Sequence, residues 1–136
     1  MPKKVIKNGS CKEGRIEIPG ESFLDYFRDY YSFTNSPTIT IDIIRTREEF
    51  TRQGNTRLLY KKLCQITKEC KIKKILSSTR SKTIVNSQFN VFPNTSMHAA
   101  NKRIFTLNDF KKYNEQYPTE FVDLESDVGG CDEKTI

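Results

Sequence analysis

One stretch, residues 38–78, limits what this 136-residue chain can fold into more than any other. Thr38-Ile-Thr-Ile-Asp-Ile-Ile-Arg-Thr46 is rich in β-branched residues and reads as a strand. A loop containing Gly54 follows it. Residues 57–70 then place Leu59, Leu63, Ile66 and Cys70 on one stripe of a helix, with Arg57, Lys61, Lys62 and Lys68 mostly elsewhere. Residues 73–77 read as a second strand. Strand, loop, helix and strand make a βαβ unit with parallel strands. In such a unit the first helical turn has N–H groups without intrahelical partners. That end carries partial positive charge and suits an anion such as a pyrophosphate.

In the first strand, alternation puts Ile39, Ile41 and Ile43 on one face and Thr38, Thr40, Asp42, Ile44 and Thr46 on the other. The all-isoleucine face belongs to the core. The mixed face, with an acid at its centre, is either solvated, as in an edge strand, or the wall of a cleft.

Phe50-Thr-Arg-Gln-Gly-Asn-Thr-Arg-Leu-Leu59 resembles the acyl-CoA-binding motif of the GNAT superfamily of N-acetyltransferases. That motif reads Arg/Gln-x-x-Gly-x-Gly/Ala, after an aromatic residue and before a leucine. Phe50, Gly54 and Leu59 match it, whereas Thr51, Asn55 and Thr56 depart from it. The resemblance implies an α/β (α+β) fold with a mixed sheet, and acetyl-CoA or another acyl-CoA as cosubstrate. It implies a cofactor site of Ile44, Thr46, Arg52, Gln53, Gly54, Asn55, Thr56 and Arg57. Gly54 is expected to let phosphates approach the backbone. The family often carries a tyrosine after the second strand as general acid to the departing thiolate, and the nearest position here is Phe89. The family also ends in two long antiparallel strands, which are not both legible in this chain.

Acetyl transfer to an amine requires a held cofactor, a deprotonated amine and a stabilised oxyanion and thiolate. Asp42 is the best-placed base, ahead of Glu48 and Glu49 in the loop. His98, the only histidine, lies in a Ser/Thr/Asn-rich segment and reads as a surface residue. Tyr30, Tyr31, Tyr60, Tyr113 and Tyr117 are the available acids.

Around the unit, residues 3–7 and 15–18 read as a strand pair separated by Asn8-Gly9-Ser10. Residues 21–31 carry Phe23, Phe27, Tyr30 and Tyr31 at helical spacing and are expected to form an amphipathic helix. Residues 32–37 form a polar loop, and residues 78–90 hold a short helix with Ile84, Val85, Gln88 and Phe89 inward. Residues 93–101 read as a loop, 103–105 as a strand, and Thr106 opens a helix to Tyr117 in a capping-box-like pattern. Residues 120–124 form a last strand. A single domain over residues 1–124 and a flexible acidic tail over 125–136 are expected.

The net charge of +6 is unevenly spread. Residues 45–82 hold twelve Lys/Arg against three acids, a balance of +9. Residues 119–136 hold six acids against Lys134, a balance of −5. A basic middle fits an anionic ligand. Cys11, Cys64, Cys70 and Cys131 lack a Cys-x-x-Cys spacing, so free thiols, no metal site and a reduced, cytoplasmic setting are expected. The start lacks a signal-peptide pattern, and no apolar run is long enough to span a membrane. Three functions remain open: a small acetyl-CoA-dependent N-acetyltransferase acting on an unidentified amine, a GNAT-like protein that binds without catalysis, and a basic nucleic-acid-binding module.

Overall fold

The structure, a computed structural model, describes residues 4, 6, 7, 11–29, 37–100 and 102–131. Seven strands form one sheet: β1 (Glu13–Ile18), β2 (Ser22–Asp29), β3 (Thr38–Thr46), β4 (Lys74–Thr79), β5 (Thr95–Ala99), β6 (Lys102–Ile104) and β7 (Val122–Asp127). Three helices accompany it: α1 (Asn55–Glu69), α2 (Lys82–Val91) and α3 (Leu107–Gln116). The strand order is β1-β2-β3-β4-β7-β5-β6. Every neighbouring pair is antiparallel except β3 and β4. This parallel seam is the βαβ unit, with α1 as its connection.

The seam is short. Only Thr38, Thr40 and the residue between them pair with β4, opposite Lys74, Ile75 and Leu76. Beyond Thr40 the ladder between these strands stops, while β3 stays paired with β2 as far as Thr46. The sheet therefore opens between β3 and β4, and the end of α1 nearest β3 borders the opening.

The first core cluster buries Ile16, Leu24, Ile39 and Ile41 against Leu59, Tyr60, Leu63 and Ile66 of α1. The second joins Val85 of α2 and Phe110 of α3 to Met97, Ile104, Val122 and Leu124. On β4, β5 and β7 the residues alternate between this helix-covered face and an open one, as in Val122, Leu124 and Ser126 buried against Asp123 and Asp127 exposed. Lys61 departs from the expected solvated face of α1, with only 6% exposure.

Residues 22–29 form a strand where helical spacing predicts a helix. Ser22, Leu24 and Tyr26 are buried at a period of two, in register with Ile18 and Ile16 on β1 and with Ile44 and Ile41 on β3. Pairing on both sides overrides the local periodicity, and the aromatic residues are good strand formers. Tyr30 and Tyr31 lie outside the described residues, as do residues 8–10, 32–36 and, of the first expected strand, residues 3 and 5. Of that strand, Lys7 bridges Glu17 antiparallel, but the main partner of β1 is β2. The segment expected to be a loop before Asn101 contains β5.

Two disulfides replace the expected free thiols. Cys11–Cys70 ties the segment before β1 to the end of α1, and Cys64–Cys131 ties the middle of α1 to the segment after β7. Their Cα atoms lie 5.6 and 6.0 Å apart, inside the range a disulfide spans. The partners are 59 and 67 residues apart in sequence, so no local spacing announces them. The expected flexible tail is likewise corrected in part. β7 runs to Asp127, Val128 N–H donates to Lys73 O at 3.1 Å, and Cys131 is buried. Residues 132–136 lie outside the described residues.

Candidate functional site

Two clefts border the opening between β3 and β4. The first, about 390 Å3, is lined by the end of β3, the loop, the start of α1 and the start of α2. The second, about 540 Å3, is lined by Thr40, Ile41 and Asp42 on β3 together with β4, β7 and His98 of β5.

The register of β3 decides which residue meets which cleft. Asp25 pairs with Ile43 and Tyr26 with Ile41, so Asp42 is the extra residue of a β-bulge. A one-residue slip moves every later side chain to the other face. Ile44 thus joins Ile39 and Ile41 on the helix side, whereas Ile43 is 39% exposed. The unbroken alternation expected from sequence fails at this point. Ile44 and Thr46 line the first cleft, and Asp42 lines the second. Asp42 therefore does not share a wall with Ile44 and Thr46.

The loop is built to present the helix end. A single 3-10 turn at Glu48–Phe50 leads into Arg52 and Gly54, both left-handed, at φ 63° and 77°. Gly54 caps α1, and Leu58 N–H donates to its carbonyl at 3.1 Å. Among the described residues, no acceptor takes the N–H of Asn55, Thr56 or Arg57. A Cβ added at Gly54 meets nothing within 4 Å. The backbone angle, together with open space in the cleft, is what glycine serves there.

Arg52, Gly54, Asn55, Thr56 and Arg57 all line this cleft. Gln53 does not. Its side-chain oxygen accepts from Lys4 Nζ at 2.9 Å, and its amide reaches back to Glu49 O. The Asn55 side chain is engaged elsewhere than in the cleft. Its amide is buried and donates to Ser22 Oγ at 2.9 Å and Glu21 Oε1 at 3.2 Å, while Lys4 Nζ donates to its oxygen. Ser22 Oγ in turn donates to Thr46 Oγ1 at 3.0 Å. This network pins the helix start to β2 and β3. The Lys4 ammonium, 2.7 Å from Glu21, holds that carboxyl below its ordinary range.

Sequence reasoning missed the far wall of the first cleft. Ser81, Thr83, Ile84 and Ser87 come from α2 and its cap, where Ser81 Oγ accepts from Ile84 N–H at 3.3 Å. His98 is exposed, as read from the sequence, but it lies on β5 rather than in a loop, faces Asp123 across the ladder and lines the second cleft with Asp42. Strand alternation in 95–99 was the available signal, masked by the Pro93-Asn94 turn chemistry before it. Among the tyrosines, Tyr60 is fully buried, donates to Gln88 Oε1 at 2.9 Å, and has its pKa pushed up by burial. Tyr113 and Tyr117 stack on α3 with ring centroids 5.1 Å apart, and neither lines a cleft. Phe89 packs against the second core cluster.

No protein-family model matches the chain. No curated protein matches it either. Solved structures do. An acetyltransferase of the GNAT family from Streptococcus pneumoniae is similar over 89% of this chain and 70% of its own, at 12% identity and a TM-score of 0.58. N-acetylglutamate synthase from Neisseria gonorrhoeae, solved with coenzyme A and N-acetyl-glutamate, aligns over 86% of this chain but 26% of its own, at 8% identity and a TM-score of 0.49. No helix among the described residues is long and apolar enough to cross a membrane. The chain has a mixed α+β fold, and that fold is the one found in GNAT acetyltransferases.

Proposed function

We propose that this chain is a small acyl-CoA-dependent N-acetyltransferase that moves an acetyl group from acetyl-CoA to an amine. The observation that carries this reading is the first cleft. Unpaired helix N–H groups, a left-handed glycine and two arginines converge on it, and it adjoins the break in the β3–β4 ladder. Those groups fit a pyrophosphate by charge, by donor direction and by the absence of a blocking Cβ. The GNAT-like fold supports the same assignment.

Acetyl-CoA brings a thioester: one C–N bond forms, one C–S bond breaks, the amine loses a proton and the thiolate gains one. In this reading the backbone N–H groups of Asn55, Thr56 and Arg57 bind the diphosphate, and Arg52 and Arg57 add charge. Ile44 and Thr46 bound the arm of the cofactor. Asp42, across the opening, accepts the amine proton directly or through water. No tyrosine among the described residues lines either cleft, so a proton for the thiolate would come from water or from the hydroxyls that line the first cleft, Ser81, Thr83 and Ser87 on the α2 side and Thr46, Thr51 and Thr56 on the other.

Calorimetry with CoA tests the binding half. Gly54→Asp places a carboxylate in the cleft and is expected to abolish CoA affinity in a folded protein; unchanged affinity refutes the site. Asp42→Asn tests the chemistry, with turnover expected to fall by about ten-fold or more at little cost in CoA affinity. A second reading, binding without catalysis, is favoured by one observation: Phe89, which has no proton to give, packs half-buried against the second core cluster at the position nearest to the family's acid. CoA binding without acetyl transfer to any of a panel of amines would support it.

A further inference from the structure

On the open face of the sheet, five exposed side chains stand at one level across the strands. Asp42 lies two residues past the last β3–β4 pair, and Ser78 lies two past it on β4. Ser78 is opposite Asp123, Asp123 is opposite His98, and His98 is opposite Arg103. All but Arg103 line the second cleft, and half-buried Leu76 on β4 is the apolar side chain on that face. The cleft thus begins at the sheet opening and continues across β4 and β7 to β5.

The charges along this course differ in how they are satisfied. Glu125, one level down, is paired with Lys74 at 2.9 Å. Arg103 turns over the Phe105 ring, 5.0 Å from its centroid. Among the described residues, no cation pairs with Asp42 or Asp123. Neighbouring strands are about 4.8 Å apart, so Asp123 lies about one strand beyond Ser78 and at least two from Asp42. A cleft with Leu76 on its floor and an unpaired carboxylate towards each end fits a short alkyl chain with a positive charge at each end.

We infer that the acceptor is an extended aliphatic diamine or polyamine. One nitrogen lies at Asp42 and is acetylated, and the distal ammonium is held by Asp123 beside His98. This rests on the acetyltransferase reading, but it makes a separate claim about the second cleft. A simple alkylamine engages one carboxylate at a time, whereas a diamine engages both at once. An anionic acceptor would set its charge against both carboxylates.

Putrescine and butylamine share a four-carbon chain and differ in the second charge. In acetyl transfer, kcat/KM is expected to favour putrescine by about five-fold, the worth of one partly solvated ion pair, and Asp123→Asn should erase most of that ratio. Binding is measured separately, without acyl-CoA. Because His98 is the only histidine, its ring signals in NMR report on the far end of the cleft alone. Putrescine should shift them saturably at several-fold lower concentration than butylamine, with that advantage lost in folded Asp123→Asn. That result supports the inference even if the first cleft fails to bind CoA. Equal responses to the two amines, or a putrescine preference that survives Asp123→Asn, overturn it even in a protein that acetylates amines.

Discussion

Removing the Cys64–Cys131 bridge tests the tertiary assignment most severely. The bridge joins residues 67 apart, and both sulfurs are buried, with Cys64 at 0% and Cys131 at 6% exposure. In the chain-entropy model, closing a loop of that length costs the unfolded ensemble about 4 kcal/mol, which the double variant Cys64→Ala/Cys131→Ala gives up. For a chain of this size total stability is roughly 7–20 kcal/mol, so the loss is large but survivable. With a urea dependence of about 1.5 kcal/mol/M, the unfolding midpoint should fall by roughly 2–3 M. Urea titration of wild type, the double variant and wild type with reductant measures this, and the two perturbed samples should move in the same direction. Alkylation under denaturing, non-reducing conditions, followed by intact mass, checks the premise: no cysteine should be modified in wild type, and two in the double variant after the paired alanines leave only Cys11 and Cys70 and a reductant is added. Four modified cysteines in unreduced wild type, or a double variant with an unchanged midpoint, would refute the reasoning.

Two further predictions concern stability. Gln88 is fully buried, accepts from Tyr60 Oη and Ser77 Oγ at 2.9 and 2.7 Å, and donates to Ser126 Oγ at 2.9 Å. Gln88→Leu strands these partners and should destabilise by about 3 kcal/mol, against about 1 kcal/mol for Tyr60→Phe, with a double-mutant cycle in denaturant showing strong coupling. Glu21 is held below its ordinary value of 4.5 chiefly by the Lys4 ammonium. A lowered folded-state pKa gives stability that is present above the unfolded value and lost as pH falls through the folded one. Glu21→Gln should therefore flatten the acid side of a Tm-against-pH profile and leave its shape near neutrality alone; an unaltered acid limb would contradict the pairing.

The sequence by itself determined the central unit, because its signals are local. Strand 38–46, the glycine loop, a basic amphipathic helix and a second strand are each written in propensity and period, and the structure has all four in order. Thr106 was likewise legible as a cap, since its hydroxyl accepts from Asp109 N–H only three residues on. Arg52, Gly54, Thr56 and Arg57, named through a family resemblance carried by the same short stretch, line one cleft. What the tertiary structure decided depends on partners distant in sequence. Residues 22–29 hold aromatics that suit either period, and pairing with β1 and β3 selected the strand. The bulge at Asp42 exists only relative to β2, yet it sends Asp42 to one cleft and Ile44 to the other. His98 acquired its place beside Asp123 through the insertion of β7 between β4 and β5. The cysteines were paired by a helix that brings residues 64 and 70 to opposite ends of the chain. Period and propensity act over a few residues, whereas register, bulges and cross-links are relations between segments, and those form only when the sheet does.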